Sequence, residues 1–188
     1  MIGTKRHPVM TTDKPQTHSL SNTDVVILAA GDSTRMRSST PKVLHRLAGR
    51  PLIEYSVRLA TALSSKPPVV VVGRDADRVQ AALGDRARYV QQAQRLGTGH
   101  AVMQARPSLA GESQTILVFY ADMPLVTETS MRMLLELHAV NAAAGGVLSM
   151  LTFQSTSPRG FGRIVRSTAG NVLAIVEEAD CTAEQAKL

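Results

Sequence analysis

Small residues followed by cationic ones stand at the end of the first apolar run of the chain. The run VVILAA leads directly into GDSTRMRSSTPK, which begins at Gly31 and contains Arg35 and Lys42. Because nothing beyond a methyl group stands at the end of the run, backbone amides there can approach phosphate oxygens closely. Arg offers these oxygens a planar fork of donors, and Lys offers a compact ammonium on a flexible stem. The pattern predicts a phosphate-binding loop over residues 31–42; an ordinary strand-to-helix connection with solvated charges is the alternative.

The loop differs from two common nucleotide-binding motifs. It does not match the GxxxxGK[ST] pattern of the P-loop, and Asp32, Ser33 and Thr34 supply neither the second nor the third glycine of the GxGxxG dinucleotide motif. These differences disfavour NAD binding. Pro41, just before Lys42, is expected to stiffen the backbone where the loop returns.

A polar amide next to a glycine-containing turn is the second feature with chemical potential. In the stretch QQAQRLGTGHA, Gln92 is followed by Gly97 and Thr98 at the predicted start of a helix. A glutamine amide both donates and accepts hydrogen bonds and can match the edge of a nucleobase, while a glycine backbone can approach a ligand without side-chain bulk. The stretch predicts a base-binding segment; a threonine helix cap with a glycine turn is the alternative.

A carboxylate follows the buried run LVFYADMPL. Asp122 lies just beyond the apolar residues, at the predicted carboxyl end of a strand, where ligands of open α/β sheets bind. Mg²⁺ prefers oxygen ligands and is often held by one or two carboxylates together with substrate phosphates and water. Asp122 is therefore the predicted metal ligand, with a turn or helix-cap residue as the alternative.

The elements that must position these residues follow from the alternation of β-branched runs with amphipathic segments, which is typical of an α/β fold with a mostly parallel sheet. We predict strands at residues 25–30, 69–73, 87–91, 115–120 and 146–153, and a hairpin of 163–166 with 172–176. We predict helices at residues 51–63, with Pro51 at the first helical position, and at 75–83, 99–106 and 127–143. In the last helix, Met131, Leu134, Leu135 and His138 fall at helical spacing and are expected to face the core.

Composition limits the function classes. A length of 188 residues with 44% apolar content suits one domain, predicted here at 24–188 after a polar, flexible leader at 1–23. The net charge of +6 suits an anionic partner, but three Phe, three Tyr and no Trp provide few platforms for stacking bases, so nucleic acid is not the expected partner. No apolar stretch approaches the ~18 residues needed to cross a bilayer, so no membrane association is expected.

The remaining reactive residues indicate no further chemistry. A single cysteine, Cys181, excludes an intrachain disulfide and is compatible with the cytoplasm. His45, His100 and His138 show no metal-ligand spacing, and Cys181 lacks the motif of a nucleophile. The sequence leaves the oligomeric state open, a homo-oligomer included.

The loop and the residues on either side of it resemble a known signature. LAAGDSTRM followed by PKVL is similar to the opening of nucleoside-triphosphate-dependent sugar nucleotidyltransferases, with Ser33 where the usual form has glycine. Molybdenum-cofactor and isoprenoid-pathway cytidylyltransferases have similar openings, so this segment indicates the superfamily and not the substrate. The resemblance implies a Rossmann-like three-layer α/β nucleotidyltransferase fold.

Three further segments resemble one family within that superfamily. LGTGHA, YADMPL and GFGRI with AIVEE are similar to segments of the bifunctional N-acetylglucosamine-1-phosphate uridyltransferase/glucosamine-1-phosphate acetyltransferase family, in its N-terminal uridyltransferase domain. Ala121 stands where that family usually has glycine. The resemblance covers about Asp24 to Leu188. The family's domain continues beyond this length and is followed by a β-helix that bears the acetyltransferase, so a C-terminally truncated domain is expected, and no hexapeptide repeat for acetyl transfer is present.

The resemblance implies a reaction and a set of site residues. The reaction is Mg²⁺-dependent transfer from UTP to a sugar 1-phosphate, N-acetylglucosamine 1-phosphate, giving UDP-N-acetylglucosamine, a peptidoglycan precursor, and pyrophosphate. Arg35 and Lys42 are implied as catalytic residues and Asp122 as the metal ligand. Substrate contacts are implied at Leu28, Ala29, Ala30, Gly31, Gln92, Gly97, Thr98, Tyr120, Gly162 and Glu177.

Other interpretations also fit the sequence. Without the resemblance, Gly162 fits a flexible hairpin and Glu177 a solvated surface charge. The chain could also be a UTP-binding pseudoenzyme or regulatory module without turnover, or a CTP-dependent cytidylyltransferase. The nucleotide preference and the release of pyrophosphate separate these functions.

Overall fold

Runs of valine, isoleucine and leucine form the centre of a parallel sheet. The computed structural model describes residues 22–31, 36–109 and 113–188. The strands are β1 (Thr23–Ala29), β2 (Arg46–Leu47), β3 (Arg50–Pro51), β4 (Val69–Val72), β5 (Arg88–Gln91), β6 (Thr115–Tyr120), β7 (Arg163–Arg166) and β8 (Val172–Val176). The helices are α1 (Leu52–Leu63), α2 (Ala76–Leu83), α3 (Thr98–Ala105) and α4 (Glu128–Ala143). Of the predicted leader at 1–23, only residues 22 and 23 are among the described residues. Ser33 and Arg35 lie outside them.

Two compact units divide the chain, Met1–Ser149 and Met150–Leu188. In the first unit, four parallel strands form a sheet in the order β5-β4-β1-β6. The chain adds β4 and β5 on one side of β1 and then crosses to add β6 on the other side. This order and the flanking helices confirm the predicted α/β class with a mostly parallel sheet.

Both faces of β1 and β4 are buried because helices cover the sheet on each side. One face packs Ile27, Val70 and Phe119 against α1, α2 and α4, and the other packs Val26 and Val71 against α3. All four valines of β4 are at most 1% exposed. The continuous apolar runs of the sequence therefore predicted these doubly covered strands correctly.

The predicted helices are confirmed within one residue at each end, and their ends agree with local chemistry. The side chain of Thr127 accepts a hydrogen bond from the backbone N–H of Ser130 and caps α4, while Gly84 ends α2 with a positive φ of 57°. Met131 of α4 is buried, as predicted. His138 is half-buried, and its Nδ1 lies 3.1 Å from Ser149 Oγ.

Two predictions about local structure are wrong. Pro51 precedes the first helical residue because it pairs with Arg46 in the short hairpin of β2 and β3. Residues 146–153, predicted as a strand, form none, because no described strand pairs with them. Their apolar side chains lie open instead, with Val147 93% and Phe153 65% exposed. An apolar run can have the propensity for a strand, but a second strand must pair with it and supply the hydrogen bonds.

Among the described strands of the first unit, one edge strand of the sheet is paired on one side only and has exposed apolar side chains. Among the described strands, β6 pairs only with β1. Leu117 and Phe119 face the core, whereas Ile116, Val118 and Tyr120 point to the other face and are 48%, 38% and 45% exposed. β6 therefore presents an unpaired backbone edge together with an apolar strip, defined as Ile116, Val118 and Tyr120.

A buried carboxylate at the amino ends of the strands is neutralised by two cationic side chains. Asp24, with a side chain 4% exposed, lies 3.3 Å from Arg88 and 3.9 Å from Lys66. Arg88 also donates to the backbone oxygens of Pro67 and Ser108. Because the two cations neutralise the buried carboxylate, a charge can sit inside this end of the sheet.

The second unit is built on the antiparallel hairpin of β7 and β8, at the predicted positions. Its most buried polar residue is Arg163, whose guanidinium donates to the backbone oxygens of Pro158, Phe161 and Ala186. Phe153 and Phe161 contact each other edge to face with ring centroids 4.9 Å apart. Throughout the described part of the chain, no helix is long and apolar enough to cross a membrane.

The burial of β1 predicts how the fold responds to truncation of its side chains. Ile27 is 0% exposed, whereas Ile116 on β6 is 48% exposed. We expect Ile27→Ala to lower the free energy of unfolding by about 2–5 kcal/mol, because it removes core contacts and leaves a cavity. The matched change Ile116→Ala should lower it by less than about 1 kcal/mol. Urea unfolding followed by circular dichroism measures both, and equal effects would contradict the assignment of the core.

Candidate functional site

The carboxyl ends of the parallel strands open into one cleft of about 380 Å³ in the first unit. Loops after β1, β5 and β6 meet there, together with the start of α3. The cleft is lined by the predicted residues of this unit that the structure describes, namely Leu28, Ala29, Ala30, Gly31, Lys42, Gln92, Gly97, Thr98, Tyr120 and Asp122. Residues separated by more than 90 positions in the chain are thus brought together, at the edge where ligands of such sheets bind. Arg35, predicted as catalytic, lies outside the described residues.

Lys42 is positioned by a tightly tied turn. It begins a 3-10 helix at Lys42–Leu44, closed by a 2.9 Å hydrogen bond from the Leu44 N–H to the Pro41 oxygen. Val43 anchors this turn in the core. The loop segment just before this turn is held by Arg78 of α2, whose guanidinium donates to the Ser39 oxygen at 2.7 Å.

Lys42 and Asp122 form an ion pair across the cleft. Lys42 Nζ lies 2.5 Å from Asp122 Oδ2, and the two side chains are 39% and 31% exposed. Because water screens a pair this open, its contribution to stability is small, on the order of 0–1 kcal/mol. The pair therefore places one cation and one anion side by side in the cleft without being required for the fold.

Gln92 is fixed by bonds from both its backbone and its side chain. Its N–H donates to the Val72 oxygen at 2.8 Å and so extends the ladder between β4 and β5. The residue is 5% exposed, and its Nε2 lies 3.2 Å from the Gly97 oxygen and 3.0 Å from His100 Nδ1. The predicted base-binding residues Gln92 and Gly97 are thus in direct contact with each other.

The rim of the cleft on the β6 side carries Tyr120 and the residue after it. The hydroxyl of Tyr120 lies 3.5 Å from Thr98 Oγ1, so the two predicted substrate residues approach each other at the cleft mouth. Ala121 is fully buried and donates its N–H to the Leu28 oxygen at 3.0 Å. Its backbone φ is not positive, so alanine fits without strain where the related family usually has glycine.

The cleft also contains three residues to which the sequence motifs assign no role, Val43, Ala101 and Arg95. Val43 and Ala101 supply apolar wall. Arg95 adds a cation, and with Arg74 and Lys42 it also lines a small adjoining pocket between the ends of β1 and β4. Its position between Gln92 and Gly97 in the sequence was the signal that could have identified it. The cations of this region favour an anionic ligand.

In the second unit, the hairpin brings together the two residues predicted to hold the sugar. Arg163 pairs with Val176, so the next positions outward, Gly162 and Glu177, are opposite each other. A Cβ added to Gly162 would lie 3.2 Å from the Val176 oxygen, which gives this glycine a packing reason of its own. Glu177 is exposed, and the neighbouring Glu178 accepts the Gly160 N–H at 2.9 Å. Gly162 and Glu177 lie outside the unit that contains the cleft.

Asp122 is the candidate ligand for a metal ion. Among the described residues, no group of three or more His, Cys, Asp or Glu side chains could hold one. A single carboxylate nevertheless suits Mg²⁺, which keeps several waters and is often held by one or two carboxylates and the phosphates of a substrate. Asp122 therefore fits a metal that arrives with its phosphates, and it does not fit a permanent structural metal.

Comparison with known proteins identifies the family of the chain. Residues 25–170 match the model of the MobA-like NTP transferase domain. The chain is 47% identical over 166 residues to the bifunctional protein GlmU of Burkholderia ambifaria, which covers 88% of this chain and 35% of that protein. It is 45% identical over 160 residues to the bifunctional protein GlmU of Heliobacterium modesticaldum, covering 85% and 34%. The chain thus spans about a third of the length of these curated relatives.

Solved structures share the fold at lower sequence similarity. The crystal structure of Rv0371c from Mycobacterium tuberculosis superposes with a TM-score of 0.52 at 21% identity, covering 64% of this chain and 62% of that one. The structure of the same protein in complex with manganese gives a TM-score of 0.50 at 20% identity, covering 64% and 61%. These likenesses support the α/β fold alone.

The backbone at the start of α3 predicts a sharp difference between two neighbouring glycines. Gly97 has φ 98° and ψ 177°, a region that side-chain-bearing residues avoid, and an added Cβ would meet no atom within 4 Å. Gly97→Ala should therefore lower the free energy of unfolding by about 1–3 kcal/mol through backbone strain alone.

Gly99 provides the matched control, because it lies inside α3 with equally open space and no positive φ. Gly99→Ala is expected to leave the unfolding free energy unchanged or to raise it by up to about 1 kcal/mol. Thermal and urea unfolding of the two variants measure this difference. A tolerated alanine at 97 would mean that the turn beside Gln92 does not require glycine.

Proposed function

The chain belongs to the family of MobA-like NTP transferase domains, and we propose that it transfers the uridylyl group of UTP to N-acetylglucosamine 1-phosphate. The observation that carries this proposal is that the Ala29–Gly31 backbone, the Lys42–Asp122 pair and the Gln92–Gly97 contact meet in the same cleft. A triphosphate needs the first two features, and a base needs the third. The similarity to GlmU proteins supports the choice of uracil and of an amino-sugar phosphate.

The nucleotide is proposed to lie along the carboxyl edge of the sheet. The backbone of Ala29–Gly31 is left open by small side chains and would run beside the nucleotide. Gln92, Gly97 and Thr98 would hold the uracil, with Leu28, Ala30 and Tyr120 completing the contacts. Gly162 and Glu177 of the second unit are proposed to hold the sugar, which an ionised carboxylate suits because it accepts hydrogen bonds from hydroxyls.

The proposed reaction is an in-line displacement. A phosphate oxygen of the sugar 1-phosphate forms a bond to the α-phosphorus of UTP, the bond from that phosphorus to the bridging oxygen breaks, and pyrophosphate leaves with the electron pair. No protein nucleophile is needed, so the protein contributes positioning and charge. Lys42 and Arg35 would neutralise the negative charge that develops on the phosphoryl oxygens.

Lys42 and Asp122 are proposed to separate when the substrate binds, with Lys42 contacting phosphate oxygens and Asp122 binding Mg²⁺. In the free protein each neutralises the other at 2.5 Å. Phosphate oxygens would offer Lys42 a new anionic partner, and Asp122 would then be released to hold Mg²⁺. Mg²⁺ bound there would supply further charge stabilisation for the transferred phosphoryl group.

A coupled assay for pyrophosphate tests the function directly. With UTP, N-acetylglucosamine 1-phosphate and Mg²⁺, we expect pyrophosphate release that depends on all three components. Stabilisation of the protein by UTP in a thermal shift experiment, without pyrophosphate release, would favour a binding module. Faster release with CTP than with UTP would favour a cytidylyltransferase.

Removal of the Lys42 ammonium tests the role of the ion pair. We expect Lys42→Ala to lower kcat about 100-fold or more, because one preorganised cation is lost from the developing negative charge. The free energy of unfolding should change by less than about 1 kcal/mol, since the side chain is 39% exposed.

Lys66→Ala is the matched control. Lys66 pairs with Asp24 and Ser113 at the amino ends of the strands, about 20 Å along β1 from the cleft. Arg88 still neutralises Asp24 in this variant, so the fold should be retained and kcat should be unchanged. Pyrophosphate release at the wild-type rate in Lys42→Ala would remove Lys42 from the mechanism.

A further inference from the structure

We propose that Glu178 is a positioning residue that holds Gly162 and Glu177 at the separation needed to bind the sugar. This inference rests on the proposed function, in which Gly162 and Glu177 contact the sugar of the acceptor substrate. Glu178 comes directly after Glu177 and begins a short 3-10 helix at Glu178–Asp180. Its carboxylate reaches the turn before β7 and accepts the Gly160 N–H at 2.9 Å.

The residues before β7 form a tight turn of a defined type. The Phe161 N–H donates to the Pro158 oxygen at 3.2 Å, and Gly160, the third residue of this turn, has a φ of 84°. A glycine with positive φ at the third position is typical of a type II β-turn. Gly162 is the next residue after the turn, so the position of the turn determines the position of the Gly162 backbone.

The internal shape of the turn is fixed by Arg163, the first residue of β7. Its buried guanidinium donates to the Pro158 and Phe161 oxygens. Both acceptors belong to the turn itself, so these bonds close the turn and tie it to its own strand. The one further acceptor of this guanidinium among the described residues is the Ala186 oxygen, so it makes no hydrogen bond to residues 177–180.

The bond between Gly160 and Glu178 links the turn to the end of β8. Regular pairing of β7 with β8 begins one position further into the hairpin. Among the hydrogen bonds between described residues, the bond to Glu178 is the one that joins residues 158–162 to residues 177–180. Without it, the turn would keep its internal shape but would be free to move away from the end of β8.

Glu177 is held on both sides by this arrangement. The residue before it, Val176, is paired in the hairpin. Glu178 after it is tied to Gly160, and the Glu177 oxygen accepts the Asp180 N–H at 2.9 Å. The backbone that carries the exposed Glu177 carboxylate is therefore fixed at both neighbours. The bond to Glu178 thus restrains both of the proposed sugar contacts.

Removal of this bond is expected to weaken the binding of the sugar phosphate and to spare the nucleotide. The apparent affinity for a ligand falls in proportion to the fraction of the protein in the binding conformation. If the untied turn occupies the position for sugar binding about a tenth of the time, the sugar phosphate binds about 10-fold more weakly. The residues proposed to hold UTP line the cleft of the other unit, so UTP binding should not change.

Two substitutions at Glu178 separate the role of its acceptor oxygen from the role of its charge. Glu178→Gln keeps a side-chain oxygen that can accept the Gly160 N–H, whereas Glu178→Ala removes it. Both variants lose the same negative charge beside Glu177, so a difference between them reports the acceptor and not the charge. Glu178 is exposed, so both variants should fold.

Arg166→Ala is the matched control within the same hairpin. The Arg166 guanidinium is exposed and donates to the Gly170 oxygen at 2.9 Å, at the end of the hairpin opposite to Gly162. This variant also loses one hydrogen bond between a charged side chain and a backbone group of a turn. Because the turn affected is the other one, the binding of the sugar phosphate should be unchanged.

Steady-state kinetics with each substrate varied in turn measure these effects. We expect Glu178→Ala to raise KM for N-acetylglucosamine 1-phosphate about 10-fold and to keep KM for UTP within about 2-fold of the wild type. Glu178→Gln and Arg166→Ala should keep KM for the sugar phosphate within about 3-fold. An unchanged KM for the sugar phosphate in Glu178→Ala would overturn the proposal. Equal rises in the two Glu178 variants or in Arg166→Ala, or parallel rises of both KM values, would also overturn it.

The Gly160 amide provides a readout that does not depend on turnover. Its hydrogen exchange with water, followed by NMR in the ligand-free protein, should be about 10-fold faster in Glu178→Ala than in the wild type or Glu178→Gln. Equal exchange in the wild type and Glu178→Ala would overturn the proposal, because the bond would then not restrain the turn. A wild type with the expected slow exchange that neither bound the sugar phosphate nor released pyrophosphate would instead overturn the proposed function, and the positioning role with it.

Discussion

The parallel pairing of β1 with β4 on one side and β6 on the other determines where the polar residues of the first unit can act. Parallel strands all end at the same edge, so the residues that come after them meet there regardless of their separation in the chain. Gly31, Gln92 and Asp122 each come after a strand of this sheet. The apolar runs that make the strands pair are thus the reason that a cleft with these polar groups exists.

The two ends of the sheet use charge in different ways. At the amino ends, Asp24 is nearly inaccessible and is neutralised by Arg88 and Lys66. At the carboxyl ends, Lys42 and Asp122 remain substantially exposed. A buried ion pair must keep its partners, because an uncompensated charge in the interior is costly. An exposed pair can exchange its partners for a phosphate and a cation, which is the behaviour that the proposed reaction requires.

Local signals in the sequence predicted most of the fold and most of the residues that line the cleft of the first unit. The valines of β4 specify a buried strand, and Lys42, Gln92 and Asp122 were identified by residue type and position. The prediction failed at residues 146–153, because a strand needs a second segment that one sequence window cannot supply. It also did not identify Arg95, which the fold brings to the wall of the cleft. The lining of a cleft depends on neighbours in space, whereas motifs record neighbours in sequence.

β6, which pairs with only one strand in the described part of the chain, affects how this chain behaves in concentrated solution. Its unpaired N–H and C=O groups and the apolar strip beside them form a template on which another strand can add. The net charge of +6 opposes the approach of a second copy through mutual repulsion. Because dissolved salt screens that repulsion over about 10 Å at 0.1 M, ionic strength sets the balance between dispersed chains and strand-to-strand association.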